Sequence, residues 1–382
     1  MHRLWKINAP VILCRRKQDF GEDIVPKIRH VVHCPLGTEQ AAVYKFHLVA
    51  EYEDCNRRPA IGAQLQALRI AAANPASHLL ERPYGDLKTV GVPRSKLTYI
   101  PKLHSALKLI HQILERREQV IVFSAFHDSL DALSARLNEA GVTHALLDGR
   151  TSQKKRGRAA KQFKLGPPKA WDRKPGESPS PFPITLAGVE CMSEGHSFHR
   201  CNNVLLLCYS WAWDKFEQAI NRVHRLNSLW DVNIYCIICD GSIDRKLDAL
   251  RQEKGDAAEL VLDGHLLGEH PVEVNLAELL SSAQKEFSSG TIKTLDERAL
   301  VTEWPALRTS LAAAARQWNV AAVCDRPDAS RTIPAWRKRF FRRVSKDNSA
   351  FVDLPLFGVR EGAGLGTDGR AAESRQALNR RM

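Results

Sequence analysis

At 382 residues the chain has room for one core domain with flanking segments, and 44% apolar with 26% charged residues is an ordinary globular balance. A formal net charge of +13 points to a polyanionic partner, of which nucleic acid is the most economical. The longest apolar run, Val204 to Trp213, is far short of a membrane span, Ile7 to Leu13 is too brief for a secretory signal, and nine cysteines without framework spacing suggest reduced thiols and a cytoplasmic location.

Taken in order, residues 1–93 predict a mostly helical connector with one strand over 27–34, a turn at Pro35-Leu36-Gly37, and helices near 38–50 and 60–73 that stop at Asn74-Pro75. From 94 to 262 short apolar runs alternate with amphipathic stretches. The pattern predicts helix 99–116, strand 120–124, helix 128–140, strand 143–147, helix 152–164, strands 184–189 and 203–207, helix 214–226, strand 232–239 and helix 242–254. Such alternation argues for an α/β fold with a doubly wound parallel sheet, whose ligands gather at the carboxyl ends of the strands. The proline-rich run 166–183 is expected as an exposed insertion. Within it Trp171, amid Lys169, Arg173 and Lys174, could stack on a base or tuck onto its own domain. Residues 263–382 read as a helix-rich extension with a basic arm at 331–343 and a Gly-rich, disordered tail. The arm holds six cations, Arg337, Arg339 and Arg342 among them, with three aromatics and no acid; it suits a nucleic-acid contact or a docking segment.

The run Gln218-Ala-Ile-Asn-Arg222-Val-His-Arg225 carries the most chemistry. At 3.6 residues per turn Gln218, Arg222 and Arg225 share one face, while Phe216, Ala219, Ile220, Val223 and Leu226 share the other. Two guanidiniums three residues apart suit a polyphosphate, because arginine stays charged and offers a planar fork of donors. Thr151 and Ser152 can cap the helix whose first turn holds Lys154, Lys155 and Arg156, which is either a phosphate site or a solvated charged turn. Cys236-Ile-Ile-Cys239 falls in a buried strand without a second pair at zinc spacing, and the fourteen histidines form no metal motif.

The arginine helix resembles motif VI of Swi/Snf-like ATPases, the double-stranded-DNA translocase branch of the superfamily 2 helicases, and other motifs of that family's second motor lobe precede it in order. Val120 to Phe126 resembles motif IV, Leu147-Asp148-Gly149-Arg150-Thr151-Ser152 through Arg156 is similar to the family's D-G-S-T-S turn, and Met192-Ser193-Glu194-Gly195 through Val204 resembles motif V. The connector from Leu13 to Pro75 is also similar to the family's, so the resemblance covers roughly 11–255. It implies a RecA-like lobe in which Arg222 and Arg225 act on ATP, Gln218, Glu194 and Gly195 shape the nucleotide side, and Ser124, Asp148, Gly149 and Arg156 face DNA.

Motif V departs from the family's A-G-G-x-G-L-N-L, reading Cys191-Met192-Ser193-Glu194-Gly195-His196-Ser197-Phe198, and motif VI ends Arg225-Leu226-Asn227-Ser228 rather than R-I-G-Q. No G-x-x-x-x-G-K-[ST] loop and no D-E-x-H box occurs in these residues; Asp296-Glu297-Arg298-Ala299 reads as part of a polar helix. The expectation is therefore a second lobe, inactive alone, that acts with a first lobe holding most of the contacts to ATP and magnesium and with double-stranded DNA. The alternative is a non-catalytic DNA-binding or regulatory module that keeps the lobe fold.

Overall fold

A computed structural model describes residues 24–50, 52, 60–80, 92–170, 172–173, 176–192, 197–208, 213–225, 227–250, 276–289 and 293–319. None of its helices is long and apolar enough to cross a membrane.

The strands form where the sequence offers short runs rich in Val, Ile and Leu that can be buried on both sides. They are β1 (Lys27–Cys34), β2 (Leu36–Gly37), β3 (Val120–Ser124), β4 (His144–Leu147), β5 (Ile184–Gly188), β6 (Asn203–Cys208), β7 (Val232–Cys239) and β8 (Thr294–Leu295). Six of them pair in parallel in the order β1-β7-β6-β3-β5-β4, and β2 pairs with β8 in a separate two-residue ribbon. Every residue of β3, β5 and β6 is buried. The helices are α1 (Thr38–Val49), α2 (Ile61–Ala73), α3 (Pro101–Glu115), α4 (His127–Glu139), α5 (Gln153–Lys164), α6 (Trp213–Val223), α7 (243–250), α8 (Leu276–Ser288) and α9 (Glu297–Asn319). The expected doubly wound α/β architecture is present.

The two faces of the sheet are covered unequally. One core joins Val122, Leu186, Leu205 and Ile237 to side chains of α1, α2, α3, α4, α7, α8 and α9. The other, among the described helices, joins Ile121, Phe123, Ala187 and Val204 only to Ala160 and Phe163 of α5 and Phe216, Ala219, Ile220 and Val223 of α6, with Val25, Phe182 and Phe198 from the loops. Fully burying a side chain the size of Phe216 or Ile220 contributes roughly 1.5–3 kcal/mol, enough for a few such anchors to seat a helix of this length.

Segments flanking the alternating region belong to this core. Strand β1 lies beside β7 in register, Lys27 opposite Val232 and Cys34 opposite Cys239, so the connector contributes a strand to the main sheet. At the other end Trp304, Leu311 and Trp318 of α9 join the thick face, and the Trp318 indole donates to the Glu118 carbonyl at 3.1 Å. The proline-rich insertion folds back at the edge where the strands begin. There Lys169 pairs with Glu118, and Arg200 pairs with Asp172 and Glu177.

Candidate functional site

Strands β3, β4 and β5 end along one edge of the sheet, and the loops that follow carry the first group of expected residues. Ser124 is buried, and its hydroxyl both donates to the Phe126 carbonyl and accepts the Phe126 N–H, at 3.0 Å each. These two bonds fix the turn into α4. Asp148 is also buried; its carboxylate accepts the Arg150 N–H at 2.9 Å and the Arg150 guanidinium at 2.7 Å, with His127 at 3.6 Å. Burial alone would raise its pKa, but the hydrogen bonds and charge of Arg150 hold the carboxyl below the usual aspartate range. Arg150 also reaches Asp131 at 2.7 Å, so this residue, where the family's turn has serine, neutralises two carboxylates. Gly149 is exposed, and Arg156 donates to the Asp148 carbonyl at 3.4 Å. Around them lies an open cleft of about 460 Å³, lined by Asp131, Asp148, Arg150, Thr151 and Lys155.

The second group hangs on α6. Its apolar stripe is buried as the 3.6 period requires, with Gln218 exposed one turn before the half-buried Arg222. The helix stops earlier than predicted: it ends at Val223 rather than 226, so Arg225 sits beyond it instead of one turn along the same face. The cause lies in the carbonyls. That of Arg222 accepts the Phe198 N–H at 2.8 Å and that of Val223 the Ser228 hydroxyl at 2.7 Å, while Ser228 Oγ also accepts the Arg225 N–H at 2.8 Å. With those acceptors taken by a neighbouring loop and a cap, the i→i+4 ladder has nothing to continue on. Leu226, expected on the apolar face, lies outside the described residues.

The arginines remain close enough to feel each other. Burial first, and the positive charge of Arg225 second, lower the pKa of the Arg222 guanidinium. The Nε of Arg225 is buried and has no hydrogen-bond partner among the described residues. Two like charges with a buried donor left over constitute an arrangement that an anion would relieve.

The two groups occupy different places. Because α6 descends from the end of β6 to the start of β7, its last turn lies toward the edge where strands begin, as the 2.6 Å contact from His224 Nε2 to the Val25 carbonyl also indicates. Ser124, Asp148, Gly149 and Arg156 lie at the opposite edge. Glu194 and Gly195 of the motif V loop and Arg337, Arg339 and Arg342 of the basic arm lie outside the described residues, as does Trp171. Cys236 and Cys239 are free and buried, in keeping with a strand.

Several charged residues escaped the sequence reading. Lys102 and Asp244 form a fully buried ion pair, with Asp244 also accepting the Cys239 N–H at 3.2 Å. Burial alone would lower the lysine's pKa, but Asp244 more than reverses this and raises it. Glu297 is buried and accepts the N–H groups of Glu39 and Gln40 at 2.8 and 3.2 Å, satisfying donors at the start of α1 from across the chain. The absence of any side-chain cap at Gly37 was the one sequence signal that α1 needed an outside acceptor.

Comparison with known proteins matches residues 102–227 to the helicase conserved C-terminal domain. DNA repair protein rad5 of Emericella nidulans is 30% identical over 221 residues, covering 50% of this chain and 18% of the relative. The probable ATP-dependent DNA helicase CHR12 of Arabidopsis thaliana is 23% identical over 274 residues, covering 69% and 23%. The chain thus spans about a fifth of the length of these curated relatives. Among solved structures, the C-terminal part of the Fun30 ATPase domain aligns with a TM-score of 0.49 at 18% identity, covering 70% of this chain and 99% of that one. The Sulfolobus solfataricus SWI2/SNF2 ATPase core in complex with dsDNA gives 0.46 at 20%, covering 77% and 56%. The parallel sheet and the ordered motifs agree with the match of residues 102–227 to the helicase conserved C-terminal domain.

Proposed function

We propose that this lobe works as the second half of an ATP-driven DNA translocase, lending Arg222 and Arg225 to a nucleotide held mainly by a first lobe. The observation that carries the reading is the like-charged arginine pair with the buried, unpartnered Nε of Arg225, a donor set that fits a phosphate. Phosphoryl transfer needs little covalent help from protein; positioning and neutralising the charge on the transferring group do most of the work. Arg222 is placed to do this by α6, whose buried stripe fixes its azimuth, and Arg225 by the Ser228 cap. Gln218 flanks the pair. Magnesium, which would offset charge between phosphates, is assigned to the first lobe's acidic box. Asp148, Gly149 and Arg156, at the other edge, face the DNA backbone in this reading, and Ser124 holds the loop beside them. The ordered motifs and the relatives described as DNA helicase and DNA repair protein support it.

The test reconstitutes the chain with a first lobe carrying a phosphate loop and measures single-turnover ATP hydrolysis with and without duplex DNA. Arg222→Ala and Arg225→Ala should each lower turnover by a factor on the order of 10³–10⁵, with ATP affinity changing far less. Arg→Lys should also fail, since a point charge cannot reproduce the fork. Near-normal rates in well-folded variants would reduce the helix to a charged surface stripe. No turnover from any pairing, with duplex binding intact, would favour the non-catalytic DNA module.

A further inference from the structure

Helix α5 presents a run of exposed positive charge with no acid within it. Between Lys154 and Lys164 it carries Lys154, Lys155, Arg158, Lys161 and Lys164, all exposed, and no acidic residue occurs anywhere in the helix. Ala160 and Phe163 bury its inner side against the sheet, which fixes the cations outward. None of the five makes an ion pair among the described residues. The two acids that line the cleft beside Lys155, Asp131 and Asp148, are both committed to Arg150.

Two further features set this helix apart from an ordinary solvated face. Its first turn has cations and no acid, and its N-cap Ser152 makes no side-chain cap hydrogen bond, so the positive end of the helix dipole meets positive side chains. The helix also connects the end of β4, the outermost strand, to the start of β5. Its charge therefore begins at the edge bearing Asp148 and Arg156 and runs down the side of the lobe, away from it. Ten residues of helix cover about 15 Å, the axial reach of roughly four phosphates along one strand.

We propose that the outer face of α5, including its lower half at Arg158, Lys161 and Lys164, is a second footing for duplex DNA, along which the backbone is held beside the lobe rather than only across its upper edge. This rests on the reading of the lobe as part of a DNA motor but assigns contacts outside the motif loops. The occupant is argued from charge complementarity: a row of like cations on one rigid helix matches a regular row of phosphates, and the contact would be independent of sequence.

The experiment compares the full chain with two triple variants of equal charge change, R158Q/K161Q/K164Q on α5 and R298Q/R308Q/R316Q on α9, which covers the opposite face. Gln resembles Lys and Arg in helix propensity, and circular dichroism checks that both variants fold. Affinity for a fluorescein-labelled 20-base-pair DNA duplex is read by anisotropy across a series of salt concentrations. The slope of log affinity against log salt should become shallower by about 2–3 for the α5 variant and by less than about 0.5 for the α9 variant. Equal slopes for parent and α5 variant would overturn the proposal, as would absence of duplex binding by the parent at low salt. So would loss of binding to a polyglutamate peptide with duplex binding unchanged, which would make the face a protein-docking surface. Because Arg222, Arg225 and the loop residues stay intact, any of these failures leaves the hydrolysis test of the arginine pair standing.

Discussion

The two faces of the sheet handle charge in opposite ways. On the thick face, under α1, α2, α3, α7, α8 and α9, several charged groups are matched within the chain: Lys102 with Asp244, Lys108 and His104 with Glu303, Lys246 with Glu286. On the thin face, α5 shows five exposed cations without an ion-pair partner among the described residues, and α6 leads into two arginines that repel each other. A fold stabilised by internal pairing can be complete in itself. Unmatched charge of one sign on a rigid helix contributes nothing to that completeness and is intelligible as a surface for something anionic.

The sharpest way to break this contrast is at Lys102. Lys102→Ala would leave Asp244 buried and uncompensated, at a cost of about 3–5 kcal/mol, whereas Lys102→Met combined with Asp244→Asn should recover most of the loss. Urea midpoints at constant m-value measure both. A small cost for the single variant would mean that the thick face does not depend on its pairs.

Next in size is a pH effect at His47. Burial lowers its pKa from 6.5 to about 4, so the folded state favours the neutral ring, which meets the Tyr52 hydroxyl. Its contribution is therefore full above the unfolded value near 6.5 and is lost as pH falls toward 4, amounting to about 3 kcal/mol at the lower end. In His47→Gln, denaturation curves between pH 7 and 4 should show a flatter loss of stability than in the parent. Parallel curves would remove His47 from the acid response.

The smallest effect expected is at Glu297. Glu297→Ala strips the acceptor from two N–H groups of α1 and should cost about 1–2 kcal/mol in thermal or urea unfolding. Glu297→Gln should cost less, since it keeps an acceptor and loses only the charge that complements the helix dipole. If the alanine variant is neutral, water serves the α1 terminus as well as the carboxylate does.

What the sequence disclosed and withheld follows from range. Strands such as those expected at 120–124 and 203–207 were legible because continuous apolar runs announce burial on both faces, and the buried side of α6 because Phe216, Ile220 and Val223 recur at helical spacing. The end of α6 was not, because it is decided by the N–H of Phe198, a residue from another loop, and by the Ser228 hydroxyl. Lys102 reads as a solvated lysine near a helix start until Asp244, 142 positions on, is placed against it. In the same way Asp296-Glu297 reads as a polar helix start, and only the ribbon between β2 and β8 shows that the second carboxylate serves α1.

That ribbon has a consequence for how the chain is made. Glu39 and Glu297 are 258 positions apart, and β1 must wait for β7, 205 positions on, before it can pair. At roughly 5–20 residues per second, a ribosome takes on the order of 10–50 s to supply the second partner after the first. Throughout that interval the first helix of the lobe has open donors at its start and the first strand has an unpaired edge. The order of emergence thus makes β1 and the start of α1 among the last parts of this fold to be finished, and it is there that the nascent chain is exposed to mispairing.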